Sequence, residues 1–274
     1  MKNRLLITIA LALLSLSEAL PAQDRSSRLE FTRMVAHWAK YNDPDYLPFI
    51  ADARPELVQF GFYGGHFWSL AHTKSYKGYP AHFPVQGLAE CSAWFVEKNQ
   101  QLHDLDAKVI GHFNIEFLVG DPDSPQGPRG FFKFYRDLWD EKKLGPKPTA
   151  NPLDLLEKNA DGTPIIQSAY KIGGMKEYWA CLRNPNWQKV LKAWTKHGID
   201  SGIDGFIINY FYRHNCLCEH CQAGFRQHLS SRFNNQQLQQ QFGITNVKSH
   251  KFDSIVAWHK PEESSPLIRR IVAT

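Results

Sequence analysis

The most constraining feature of this chain is the segment Asp204 to Phe225. It opens as a nearly continuous apolar run, Asp204-Gly-Phe-Ile-Ile-Asn209, and turns directly into Cys216-x-Cys218-x-x-Cys221. A run this short and this apolar reads as a strand buried on both faces, which is the habit of parallel sheets. Three thiols within six residues cannot all pair with one another. A tetrahedral cation would use all three and require a fourth ligand, and zinc fits best because it accepts four thiolates without redox cycling. A disulfide plus a free thiol is the competing reading. Cys181, upstream of the cluster, is the expected fourth ligand, with His214 and His220 as competitors. Cys91, the fifth cysteine, falls on the inward face of an earlier helix and reads as a small buried hydrophobe.

Two further runs behave like the first. Leu57 to Tyr63 and Lys108 to Phe113 are apolar strands, and helices are expected over residues 28–40, 87–105 and 185 onward. Asn184-Pro185 supplies a cap and a first-turn proline for the last of these, with Trp187, Val190, Leu191 and Trp194 as its inward stripe. Further helices are expected over Cys221 to Phe233, over Gln236 to Gln241, and from Ser265-Pro266. Residues 65–86 read as a long loop. Residues 120–178 read as a Pro- and Gly-rich excursion with short helical pieces near 131–140 and 153–158. Strand and helix alternate, so the class is α/β. Neither G-x-G-x-x-G nor G-x-x-x-x-G-K-[ST] occurs, which removes support for a nucleotide fold.

Polar residues gather just after each strand: Gly64-Gly65-His66, then Asn114 and Glu116, then Asn209 and Tyr210. In a (β/α)8 barrel that end builds the active site. Three strands are clear and Ile255 to Trp258 is a fourth candidate, whereas a full barrel takes about 250 residues for eight units. The expectation is therefore a partial (β/α)8 TIM barrel over residues 23–274, the N-terminal part of a domain truncated at its C-terminus.

Lys2 and Arg4 followed by the apolar run Leu5 to Leu16, with Ala19 or Ala22 beyond it, read as an export signal over residues 1–22. The expected location is periplasmic or extracellular. The run is shorter than the roughly 20 residues a bilayer span needs, so no stable membrane insertion is expected. Losing those residues removes two positive charges and one negative, taking the formal charge from +5 to +4. No basic block points to nucleic acid. Aromatic residues make up 13% of the chain, with eight Trp, which serves either a large core or the stacking of sugar rings.

The stretch Asp204 to Arg226 resembles the segment after the fourth barrel strand of glycoside hydrolase family 42 β-galactosidases, and a related group of hypothetical glycosyl hydrolases more closely still. Cys216, Cys218, Cys221 and Phe225-Arg226 match residue by residue over about 25 positions. The resemblance implies a TIM-barrel glycosidase, a carbohydrate substrate, and a zinc shared with one upstream cysteine, for which Cys181 is the candidate. It also implies Asn-Glu at the strand end, the Glu being the general acid/base. Here Asn209 keeps the Asn but Tyr210 replaces the Glu, and a phenol with a pKa near 10 is a poor proton shuttle.

Glu116 is then the best local carboxylate, although a solvated loop Glu reads equally well, and glycosidases normally use two. His66, Trp68, His112, Asn114, Asn209 and Tyr210 are the expected sugar contacts. His66, His72 and His82 lie among Phe67, Trp68, Tyr76 and Tyr79, as a cleft wall or, alternatively, a second metal site. Trp38, Trp139 and Trp258 read as core. Asp204 begins its strand and reads as a structural cap. A non-catalytic carbohydrate-binding barrel and a zinc-braced structural module remain alternative readings, and a homo-oligomer of the full-length form is left open.

Overall fold

Four strands of one sheet run parallel and in chain order: β1 (Met34–Val35), β2 (Leu57–Phe62), β3 (Lys108–Asn114) and β8 (Gly205–Asn209). The computed structural model describes residues 31–36, 42–74, 83–209, 214–253 and 264–274. The segment 1–22, the candidate strand 255–258 and Trp38, Tyr76, Tyr79, His82, Tyr210 and Trp258 lie outside them. From Arg33 onward the chain is one compact unit.

Burial explains two of the three apolar runs. The third, β8, expected to be buried on both faces, is an edge strand among the described residues, half-buried along its length with Ile208 50% exposed. Every residue of β2 is buried, and so is every residue of β3 after Lys108. Helices α3 (Leu88–His103) and α4 (Pro185–Asp200) supply the crossovers. Asn184 caps α4 by accepting from Asn186 N, and Pro185 takes the first turn. Of the expected stripe, Trp187, Val190 and Trp194 are fully buried, while Leu191 is half-buried against the same core. Gly198 lets α4 settle on β8: a Cβ there would stand 2.8 Å from the Phe206 ring. Cys91 is buried and donates to Val85 O, and Trp139 joins the core.

Three expectations change. Residues 28–40 are not one helix, because Met34 and Val35 form a strand paired with Leu57 and Val58; pairing with a buried neighbour overrides local periodicity. Unforeseen helix α1 (Tyr46–Ala53) follows. The loop from residue 65 begins as a buried helix, α2 (Gly65–Leu70). The excursion carries a second sheet, antiparallel, in the order β5-β4-β7-β6, built from β4 (Phe117–Asp121), β5 (Arg129–Gly130), β6 (Ile166–Ile172) and β7 (Met175–Trp179). The short helical pieces expected there do form, at Phe131–Leu138 and Pro152–Leu155.

Beyond β8, helices α5 (Glu219–Arg232), α6 (Asn235–Phe242) and α7 (Pro266–Val272) enclose a separate apolar cluster of Leu229, Leu238, Phe242, Phe252 and Ile268. Buried Gln222 ties it together through both backbone groups of Phe252. Asn234 and Gln237 form the capping box that starts α6.

Candidate functional site

Two groups of polar residues form at the carboxyl ends of the parallel strands. Gly64-Gly65 makes the first possible. A Cβ at Gly64 would lie 2.4 Å from Asn114 O, and one at Gly65 would lie 2.1 Å from Phe117 O. With no side chain at either position, α2 starts against the end of β3. There Asn114 Oδ1 accepts from His66 N (3.1 Å), and Asn114 Nδ2 donates to His66 Nδ1 (2.9 Å) and Phe117 O (3.4 Å). Burial, followed by the nearby His112, pushes His66 down to about 3, so the ring is neutral at physiological pH.

The second group crosses β2, β3 and β8. His112 Nε2 lies 2.8 Å from Asn209 Oδ1, and Gln59 Nε2 lies 3.5 Å from His112 Nδ1. The Phe62 ring packs on His112 at 4.8 Å. Asn114 and Asn209 are register partners, so the two groups are adjacent. Gln59 was not singled out from the sequence. A lone amide inside Leu57 to Tyr63 was the signal that could have found it.

Trp68 is not brought to these groups. It is 4% exposed, stacks on Trp194 at 5.6 Å and donates Nε1–H to Tyr63 O. Its ring face is therefore occupied by the core. It borders a cavity of about 160 Å³, shared with Ser92, Lys143 and His197. Glu116 lies buried in the bend between β3 and β4, where its backbone oxygen accepts from Ala180 N. Asp204 sits at the opposite end of the sheet, accepting from Val109 N (2.8 Å) and pairing with His103 and Lys108, as a structural cap should.

The four cysteines converge. Sγ of Cys181, Cys216, Cys218 and Cys221 all lie within 4.8 Å of one another, with Cys181 3.6 Å from Cys218 and 3.5 Å from Cys221. A disulfide would need about 2.05 Å, and all five cysteines are free. Sulfurs bound at about 2.3 Å to one tetrahedral ion stand roughly 3.8 Å apart, so the spacing suits a structural metal. Packed this closely, the thiols cannot all ionise without a cation. Hydrogen bonding from Cys181 holds Cys218 far below the thiol range, while Cys216 and its neighbours push Cys181 far above it.

Cys181 arrives from the end of β7, anchored by Cys181 N to Leu155 O; Cys216 and Cys218 come from the turn into α5 and Cys221 from its first turn. His214 is outside the cluster. Its Nδ1 is 2.7 Å from buried Glu157 and its ring packs on Trp179 at 4.7 Å. Among the described residues no second cluster of metal-ligating side chains occurs, and His72 is not part of one.

The sequence also passed over Glu177. By alternation it shares the face of Met175 and Trp179 on β7, and it is 4% exposed. Desolvation pushes its carboxyl up to about 7.

The fold and site thus define a mixed α/β protein with a parallel sheet, polar strand ends and a four-cysteine cluster. No protein-family model matches the chain, and no curated protein matches it. Several solved structures are similar. A cycloisomaltooligosaccharide glucanotransferase from Paenibacillus sp. is 11% identical with TM-score 0.40, over 67% of this chain and 24% of that one. The α-galactosidase TtGalA of Thermus thermophilus, in complex with stachyose, is 11% identical with TM-score 0.40, over 80% and 39%. The maltogenic α-amylase AmyB of Thermotoga neapolitana is 9% identical with TM-score 0.39, over 73% and 43%. These neighbours are carbohydrate-active enzymes, and this chain spans less than half the length of each. With TM-scores below 0.5, the likenesses carry neither fold nor chemistry here. Among the described residues no helix is long and apolar enough to cross a membrane.

Proposed function

We propose that this chain is an exported, glycoside-hydrolase-like protein whose four parallel strands belong to a (β/α)8 barrel. It binds poly- or oligosaccharide at the carboxyl ends of those strands and holds zinc at Cys181, Cys216, Cys218 and Cys221. One observation carries the reading. The chain brings Cys181 onto the Cys-x-Cys-x-x-Cys turn beside β8, the arrangement implied by the resemblance to family 42 β-galactosidases. The chain-order parallel sheet and the buried His66, His112 and Asn114 at its carboxyl end support the same reading.

Where the barrel is catalytic, Glu116 is the local carboxylate, since Tyr210 occupies the position of the family's acid/base. Binding without hydrolysis is the alternative that Tyr210 favours. Calorimetric titration with a panel of β-galactosides and plant or algal oligosaccharides tests the reading, alongside metal analysis of the same protein. Saturable binding to zinc-loaded protein is expected. Zinc-loaded protein that binds none of the panel would overturn the carbohydrate reading.

A further inference from the structure

We propose that His112 is a positioning residue: it fixes the amide polarity of Asn209 so that Asn209 Nδ2 faces a ligand oxygen, and Gln59 in turn fixes the tautomer of His112. The purpose of this relay rests on the carbohydrate reading above. Its existence does not.

One residue comes from each of three neighbouring strands: Gln59 from β2, His112 from β3 and Asn209 from β8. Gln59 and His112 are each 4% exposed, and Phe62 packs on the imidazole. An amide oxygen has lone pairs and no hydrogen. The 2.8 Å contact from His112 Nε2 to Asn209 Oδ1 therefore requires hydrogen on Nε2. In the neutral ring that leaves a lone pair on Nδ1, the atom facing the Gln59 amide nitrogen.

The consequence falls on Asn209. With Oδ1 committed to His112, its Nδ2 is the end left to act, and among the described residues no partner takes it. Asn114 is the contrast. Its oxygen takes His66 N, and its nitrogen gives to His66 Nδ1 and Phe117 O. Asn114 therefore holds α2 against β3, while Asn209 reads the ligand. An NH2 group presented in this way selects an acceptor, here a sugar hydroxyl oxygen.

The test uses the full chain labelled with 15N-histidine, with the His112 signals assigned by their loss in His112→Gln. A pyrrole-type nitrogen at Nε2 and a pyridine-type nitrogen at Nδ1 are expected near neutral pH. The reverse tautomer, or two pyrrole-type nitrogens, would overturn the relay whether or not any sugar binds. Gln59→Met should turn the single tautomer into a mixture, and an unchanged pattern in that variant removes Gln59 from the relay. Asn209→Asp keeps an acceptor for His112 and loses the donor. Methyl β-galactopyranoside should bind it at least about tenfold more weakly than the unmodified protein, and equal affinity would refute the donor role of Asn209. Failure of the unmodified protein to bind that sugar counts against the proposed function and leaves the nitrogen shifts to decide the relay.

Discussion

Cys181 and Cys221 stand 3.5 Å apart, Sγ to Sγ, although one follows β7 and the other lies in the first turn of α5. That contact joins the end of the antiparallel excursion to the start of α5, beyond β8.

If zinc holds that junction, purified protein should carry about one zinc per chain. By mass action, zinc at a hundredfold excess over its dissociation constant stabilises a fold by about 2.7 kcal/mol. For a domain of this size that shifts the melting temperature by roughly 5–10 °C. Chelation should produce a drop of this order, and Cys218→Ser should copy it without chelator. Metal-free protein with paired thiols and an unchanged transition would rule the zinc out.

Glu177 predicts a pH dependence of the opposite sign to most carboxylates. Desolvation raises its folded pKa from 4.5 to about 7, so the folded state keeps a proton that the unfolded state has lost. This group's contribution is greatest below the unfolded value. Stability then falls as pH rises towards 7 and levels off above it, by about 3 kcal/mol at 1.36 kcal/mol per pKa unit. Urea unfolding from pH 4.5 to 8 reads the slope, and Glu177→Gln should flatten it. An identical slope in that variant would show that another group is responsible.

Asp204 works the other way. Burial alone would raise its carboxyl, but hydrogen bonds from Val109 N, His103 and Lys108 outweigh that and hold it below the usual range. Its contribution is present above the unfolded carboxylate pKa and is lost as pH falls through the lower folded value. Asp204→Asn keeps an acceptor for Val109 N and loses both charged partners. A cost of about 1–2 kcal/mol is expected at pH 7, shrinking at low pH. Denaturant midpoints that match the unmodified protein at both pH values would mean the ion pairs are immaterial.

Local signals made much of this legible. Asn184-Pro185 announced α4, and apolar runs announced β2 and β3, because capping and burial act over a few residues. The run of β8 announced a strand but not its place at the sheet edge among the described residues, where Ile208 is exposed. The convergence of Cys181 with the turn was an expectation from the need for a fourth ligand, with His214 and His220 left as competitors, because nothing local links positions so far apart. The antiparallel sheet was illegible for the same reason. Phe117 pairs with Trp179 across the whole excursion, and its short strands are punctuated by the Pro and Gly that also mark loops. Met34 and Val35 are a strand because β2 lies beside them. Trp68 looked like a sugar platform until its neighbour Trp194 placed it in the core. Glu177 stood in a stretch with no strand pattern, so its burial had no precursor in the sequence.

Glu116 decides between an enzyme and a binding protein. It is buried at the end of β3, where a barrel places its reacting groups, and its backbone is fixed by Ala180 N. Removing a general acid or base typically costs 10²–10⁴-fold in rate, about 3–5 kcal/mol of transition-state stabilisation, while ground-state binding is retained. Glu116→Gln keeps the shape of the side chain and one acceptor oxygen, and replaces the titrating oxygen with an uncharged NH2 donor. With an oligosaccharide that the unmodified protein cleaves, turnover should fall by at least about a hundredfold at similar affinity. Parallel losses of turnover and affinity would make Glu116 a binding residue. Full activity would dismiss it and move the search to carboxylates such as Glu157 and Glu177, which are also buried in the excursion.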